Sequence, residues 1–352
     1  MLLVLGLAAL IWFGGGLLGQ PRQARALLLG LLYIAVLMVQ VALPDGHPLR
    51  LATGGSPALW LLIGGFGALG AAYGLGVRRL KGRAVEKEAA EAPAPRPDAM
   101  SEAELDRYAR HIVLRELGGP GQKALRGARV LVVGAGGLGG PALQYLAAAG
   151  VGTVGVIDDD TVENANLHRQ VVHRDADMGM PKVFSAKAAL VAQNPHVTVR
   201  PYNRRLTAEI AEELFGDYDV ILDGSDNFAT RELVNRAAVA AGKPLVWGAI
   251  TQWEGQLAVF DPAEGGPCYA CLFPERPAPG LAPGCAEAGV VGPLPGVVGT
   301  MMAVEAMKVI TAAGRPLLGR LMLYDALYAE ARVISVARRP GCPVCGGATP
   351  EE

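Results

Sequence analysis

Cysteine, aromatic residues and charge are all scarce in this chain. Five cysteines among 352 residues are too few for a disulfide scaffold, and the odd count leaves at least one thiol unpaired. Charged residues make up 18% and aromatic residues 6%. The 32 Lys and Arg nearly cancel the 33 Asp and Glu, so there is no basic field of the kind that nonspecific nucleic-acid binding needs, and nucleic acid is not expected as a partner. No G-x-x-x-x-G-K-[ST] run occurs, which removes P-loop phosphate chemistry. Glycine and proline, 47 and 25 residues, show neither collagen period nor low-complexity repetition. What abounds is apolar: 51% of residues are hydrophobic and the mean hydropathy is +0.29, too apolar for disorder and high for a purely soluble enzyme.

The excess lies at the front. Residues 2–19, 26–43 and 58–77 contain no Asp, Glu, Lys or Arg. As helices rising 1.5 Å per residue, such runs span roughly 27 to 30 Å, the thickness of a hydrocarbon core, which predicts three transmembrane helices in a module over residues 1–83. A cleaved signal peptide is the alternative for the first run, but no basic segment precedes it and two further runs follow. Arg22 and Arg25 lie between the first two runs, and Arg78, Arg79, Lys81 and Arg83 follow the third. Only Asp45 and Arg50 carry charge between the second and third, so the positive-inside rule puts the amino terminus outside and everything after Arg83 in the cytoplasm. The spans hold no ionisable residue of the kind an ion pathway uses, so the module reads as an inner-membrane anchor. Residues 84–99, rich in Ala, Pro and Glu with Pro93, Pro95 and Pro97 alternating, read as an extended linker to a domain over residues 100–352.

That domain opens with Ser101 and Glu104 in capping-box spacing ahead of a helix expected through Leu117. Residues 129–133 form an apolar strand that runs into Gly134-Ala-Gly136-Gly137-Leu-Gly139, a helical pattern over 141–149, and a second strand over 153–157 ending at Asp158. Glycines here allow close backbone approach to phosphate, and the helix start offers unpaired N–H donors. Helices over 182–194, 208–215 and 228–241 then alternate with strands over 197–201, 220–223 and 245–248. Strands over 256–260, 321–324 and 332–336 and a helix over 297–313 complete the pattern. The rhythm predicts an α/β fold: a Rossmann-like, mainly parallel sheet with helices on both faces. By the glycine turn alone, an NAD-dependent oxidoreductase would be the default reading, with Asp158 on a ribose.

The stretch Asp158-Asp-Asp160-Thr-Val-Glu-Asn-Ala-Asn166-Leu-His-Arg169-Gln170 resembles the D-x-D-x-V-x-x-S-N-L-x-R-Q signature of the MoeB/ThiF/HesA family, bacterial relatives of ubiquitin-activating enzymes. Arg107-Tyr-Ala-Arg110, Gly179-Met-Pro-Lys182, Asp223-Gly-Ser-Asp226-Asn227 and the late Cys-x-x-Cys pairs fit the same resemblance, which covers residues 101–347. Ala165 departs from it where Ser is frequent, which removes one hydroxyl contact. The chemistry implied is adenylation: the C-terminal carboxylate of a small ubiquitin-like sulfur-carrier protein, MoaD-like or ThiS-like, attacks the α-phosphate of ATP and expels pyrophosphate, for molybdopterin or thiamine biosynthesis. Like-charge repulsion in that encounter calls for cations and oriented donors. The resemblance assigns Gly134, Gly136, Gly137 and Gly139 to the nucleotide turn, Asp158 to the ribose hydroxyls, and Asn166, Arg169 and Lys182 to the phosphates. It assigns Asp226, with Asn227 beside it, to Mg²⁺ near the α-phosphate, and Arg110 to the nucleotide of a neighbouring subunit, making a homodimer part of the mechanism.

Cys268-x-x-Cys271 and Cys342-x-x-Cys345 supply four thiolates in the spacing of a tetrahedral Zn²⁺ site. Two disulfides or one redox-active pair are the alternatives, which a reducing cytoplasm and the sequence context of the pairs disfavour. Cys285, in a Gly- and Pro-flanked stretch, matches the family's active-site cysteine; it is expected to be accessible and not required for adenylate formation. Only seven residues follow Cys345, too few for a rhodanese-like extension, so a separate protein is expected to donate sulfur. A noncatalytic membrane adaptor that keeps the fold to bind a partner is the remaining alternative.

Overall fold

Apolar sequence at the front becomes helix. The computed structural model describes residues 1–91, 99–276 and 288–346, and the chain divides into two units, Met1–Ala99 and Met100–Glu352. In the first, α1 (Leu2–Leu17, with a π turn over Leu10–Gly14), α2 (Arg22–Ala42), the short α3 (Pro48–Thr53) and α4 (Pro57–Glu91) follow one another. Arg22–Ala42 and Pro57–Arg83 are long and apolar enough to cross a membrane, whereas Leu2–Leu17 is shorter. Many of their large apolar side chains point outward: Leu27, Met38, Phe66 and Leu69 are all exposed, a surface suited to lipid. The small interior is Val4, Val36 and Trp60. Polar tips tie it to the short helix, with Trp60 Nε1 donating to the Thr53 carbonyl at 3.0 Å and the Gln40 amide to Thr53 Oγ1 at 2.7 Å.

The expected linker starts later than the composition suggested. α4 continues through 84–91, because Ala, Glu and Lys are strong helix formers and Pro93 is the first residue unable to continue the ladder. Residues 92–98 lie outside the described residues.

In the second unit, Ser101 accepts the Glu104 N–H and Glu104 Oε2 accepts the Ser101 N–H, the reciprocal cap that starts α5 (Glu102–Ile112). The helix stops at Ile112 rather than Leu117. Gly118, at φ +59°, turns the chain into a separate helix, α6 (Gly118–Gly127). An eight-stranded sheet follows in the order β3-β2-β1-β4-β5-β6-β7-β8. β1 (Arg129–Val133), β2 (Thr153–Asp158), β3 (Thr198–Asn203), β4 (Val220–Asp223) and β5 (Leu245–Ile250) run parallel. β6 (Glu254–Phe260), β7 (Arg320–Asp325) and β8 (Glu330–Ser335) continue antiparallel.

Alternation along β1 sorts the core. Val130 and Val132 face α7 (Gly139–Ala148), α8 (Lys182–Gln193) and α12 (Pro293–Thr311), while Leu131 and Val133 face α9 (Ala208–Gly216) and α10 (Phe228–Ala240). Both faces are therefore covered, as the βα rhythm predicted. By length and composition α12 too would suit a membrane, but its Leu294, Val298, Met302 and Ala306 are buried in the sheet core.

Candidate active site

Strand order reverses between β1 and β4: the chain leaves β1 toward β2 on one side, while β4 leads to β5 on the other. A crevice must open beyond the carboxyl ends of these two strands, where Val133 pairs with Asp223. It is a cleft of about 780 Å³. Gly134 leaves β1 at φ +94°, a conformation L-residues avoid, and a Cβ on Gly139 would sit 1.8 Å from the Gly134 carbonyl oxygen. Gly139 thus closes the turn from behind and does not line the cleft, unlike Gly134, Gly136 and Gly137. These glycines and Leu138, the N-cap of α7, set the start of that helix at the floor.

Asp158 ends β2 at one wall. Its Oδ2 accepts the Ala135 N–H at 2.7 Å and its Oδ1 the Asp160 N–H at 2.8 Å. Burial pushes its pKa above the ordinary carboxylate value, against the pull of those two N–H groups and of Lys182. Lys182 opens α8 and is buried, with Nζ 2.7 Å from Asp160 Oδ2. Arg169 donates to Asn166 Oδ1 at 2.9 Å and to the Ala165 carbonyl at 3.1 Å, then lines the cleft. Asn166 itself does not line it; it aims Arg169. That Arg169 bond runs to the Ala165 backbone, so it survives the missing hydroxyl.

Across the cleft, Asp226 and Asn227 follow β4. Asn227 caps α10, its Oδ1 accepting the Thr230 N–H at 2.9 Å. Arg231, one turn on, donates to the Ser225 carbonyl at 3.1 and 3.3 Å and lies over Phe228 and Trp247, 5.5 and 5.7 Å from the ring centroids. Asp223 is fully buried beneath, and burial pushes its pKa up. Arg110 sits exposed in the last turn of α5, and no Arg110 atom lines the cleft within one chain.

Sequence reasoning brought Gly134, Gly136, Gly137, Asp158, Arg169, Lys182, Asp226 and Asn227 to this cleft, and it missed several other lining residues. Arg204 and Arg205 follow β3 at the same end of the sheet as Asp158, a doubled cation after a strand that could have been noticed. Gln170 closes the matched signature but was given no role, while Arg231 and the aromatics Trp247, Tyr269 and Phe273 carried no local signal.

Elsewhere in this unit, Cys268 and Cys271, at the short α11 (Tyr269–Leu272), meet Cys342 and Cys345. All four sulfurs are buried and lie within 4.8 Å of one another, with separations of 3.9, 3.6 and 3.5 Å for three pairs. A tetrahedral ion with 2.3 Å bonds to sulfur spaces its ligands roughly 3.8 Å apart, so the cluster is compatible with zinc. Burial pushes the Cys268 thiol far up. Cys342, which burial also pushes up, is brought to about 7 by the N–H groups of Cys345 and Val344. Cys285 lies outside the described residues.

The fold and the cleft define the class: a nucleotide-binding α/β protein of the Rossmann kind. Within that class the chain belongs to the ThiF family, which matches residues 108–344. It is 57% identical over 247 residues to the sulfur carrier protein adenylyltransferase of Thermus thermophilus, across 69% of this chain and 91% of that protein. To the molybdopterin-synthase adenylyltransferase of Escherichia coli it is 45% identical over 250 residues, across 70% of this chain and 98% of that one. The probable adenylyltransferase/sulfurtransferase MoeZ of Mycobacterium tuberculosis is 53% identical over 248 residues, but the match spans 63% of its length. Among solved structures, Escherichia coli MccB bound to MccA-N7isoASN has the same fold, with a TM-score of 0.62, 23% identity, and coverage of 68% of this chain and 74% of that one.

Proposed function

We propose that this chain is an adenylyltransferase acting on the C-terminal glycine carboxylate of a small ubiquitin-like sulfur carrier, MoaD-like or ThiS-like, with ATP as co-substrate. One carboxylate oxygen bonds to the α-phosphorus, the bond to the β-phosphate bridging oxygen breaks, and pyrophosphate leaves. The observation that carries the reading is the meeting of Arg169, Lys182, Asp158 and Asp226 around one glycine-floored cleft, drawn from three separate stretches of chain.

Each group has a task there. Gly136 and Gly137, at the entry to α7, hold phosphate oxygens through backbone N–H groups, and Asp158 accepts from the ribose hydroxyls. Arg169 and Lys182 balance charge as a second anion approaches the triphosphate. Lys182, paired with Asp160 before nucleotide arrives, exchanges one anionic partner for another. Asp226 would hold Mg²⁺, which when bound neutralises charge on the transferring phosphate. Arg231 keeps the Ser225 peptide in place, and with it the neighbouring Asp226. A nicotinamide oxidoreductase would leave Asp226, Arg169 and Lys182 without a shared task, and a noncatalytic adaptor would have no need of them.

The same reading takes the four cysteines as a structural Zn²⁺ site, a homodimer in which Arg110 reaches the neighbouring nucleotide, a separate sulfur donor, and an accessible Cys285 that adenylate formation does not need. It takes the first unit as an inner-membrane anchor with the catalytic unit on the cytoplasmic side; the outward-facing leucines of α2 and α4 support this.

The test is direct. Purified protein is incubated with ATP, Mg²⁺ and each carrier type, and the carrier's intact mass is followed. A gain of one AMP on MoaD-like or ThiS-like carrier is expected. Absence of the adduct and of pyrophosphate exchange with both would overturn the reading, and NAD binding in preference to ATP by calorimetry would favour the oxidoreductase.

A further inference from the structure

Beneath the glycine turn lies a histidine that no phosphate contact explains. His173 is 6% exposed, on the segment between Arg169 and α8. Its Nε2 is 2.9 Å from the Ala135 carbonyl oxygen and its Nδ1 2.9 Å from Ser185 Oγ. Ser185 Oγ also lies 2.7 Å from Asp177 Oδ2, an oxygen that the Arg174 N–H reaches at 3.2 Å. A carbonyl oxygen only accepts, so the proton at the Ala135 contact belongs to His173 Nε2. Burial, with Lys182 nearby, holds the ring's pKa below the ordinary histidine value, against the pull of the Ala135 carbonyl, Asp158 and Asp177. The ring is then neutral at pH 7, with its one N–H on Nε2. Its bare Nδ1 faces Ser185 Oγ, whose hydroxyl donates to Asp177 Oδ2.

Ala135 is held at both ends. Its N–H goes to Asp158 Oδ2 at 2.7 Å and its carbonyl to His173. With both flanking peptide planes tied, φ and ψ of Ala135 lose their freedom. The second plane matters most. In a trans peptide the C=O of Ala135 and the N–H of Gly136 point in opposite directions, so drawing the carbonyl down to His173 turns the Gly136 N–H the other way, and Gly136 lines the cleft.

We propose that His173 is a positioning residue for nucleotide binding: as the Nε2–H tautomer, which the accept-only Ala135 carbonyl selects, it holds the Ala135–Gly136 peptide with the Gly136 N–H toward the phosphates. This rests on the adenylation reading. His173 touches no reacting atom, so its loss weakens ATP binding and leaves turnover at saturating ATP nearly untouched.

Two amide variants separate positioning from space filling. In His173→Gln the side-chain nitrogen sits as many bonds from Cα as Nε2 does, so it reaches the Ala135 carbonyl. In His173→Asn the nitrogen falls where Nδ1 was and cannot. With full-length protein in detergent and MgATP titrated by calorimetry, the Gln variant is expected within about twofold of wild type and the Asn variant about tenfold weaker, the worth of one positioned hydrogen bond. Saturating kcat is expected within about threefold for both. Independently, nitrogen NMR of histidine-labelled wild type without nucleotide is expected to show His173 protonated at Nε2 and bare at Nδ1. Equal ATP affinities for the two variants, or a ring protonated at Nδ1 alone, would overturn the inference while leaving the adenylation reading intact. A wild type that binds no ATP would overturn both.

Discussion

Lys182 Nζ and Asp160 Oδ2 lie 2.7 Å apart, with the lysine side chain 5% exposed and the aspartate 66%. The cation is buried while its partner can rehydrate, so the pair is built to open on the aspartate side. Pairs with one exposed member are worth only about 0 to 1 kcal/mol.

Lys182→Met is therefore expected to leave the unfolding midpoint within a few degrees of wild type, yet to lower carrier adenylation by about 10²-fold or more, the scale of a lost transition-state charge contact. Chemical denaturation read beside pyrophosphate exchange checks this. A variant that loses fold and activity in parallel would make Lys182 a structural residue only.

Asp226→Ala and Arg169→Ala should each abolish the AMP mass gain on the carrier while far-ultraviolet circular dichroism stays native. Asn166→Ala, which acts through its 2.9 Å bond to Arg169, should lose only about tenfold. Retention of the adduct by both Asp226 and Arg169 variants would remove the site assignment.

Asp223 offers a pH-dependent test. It is fully buried, its Oδ1 accepts the Ser225 N–H at 2.9 Å, and its Oδ2 has no hydrogen-bond partner among the described residues. Burial raises its folded pKa above the unfolded value, so its contribution to stability is complete below the unfolded pKa of about 3.9 and is lost as pH rises through the folded one. Asp223→Asn mimics the protonated acid. Its melting temperature is expected to exceed that of wild type at pH 7, with the gap closing toward pH 4. A gap that widens on acidification would show that the carboxylate is stabilised in the fold instead.

The cysteine cluster predicts one zinc per chain by elemental analysis. A strong chelator or Cys345→Ser should lower the melting temperature, because the sulfurs of segments 74 residues apart lose the ion that joins them. Metal content near zero with unchanged stability would leave the four thiols as plain packing.

Much of this was legible in the residues alone. Alternating apolar strands and amphipathic helices announced a covered parallel sheet, because buried β-strands and their crossover helices impose those periods. The glycine turn and Asp158 were readable because their geometry is local: Gly134 needs its positive φ, and the acid ends the next strand. The Ser101 cap was readable for the same reason, as its partners stand three residues apart. Where local composition misled, a backbone preference outweighed it: the helix expected through Leu117 ends at Ile112, Gly118 turns the chain into a further helix, and helix-forming residues carried α4 past Arg83.

What had no local signature was each role set by a distant partner. His173 reaches Ala135 across 38 positions of sequence, and Trp247 of β5 meets Tyr269 and Phe273 at the cleft. The apolar run of α12 has the composition of a membrane span and is a core helix because the sheet buries it. A chain specifies turns, caps and periods through residues a few positions apart. Which side chains then share a cleft depends on the order in which the strands pair, and that order was settled only when the whole sheet closed its core.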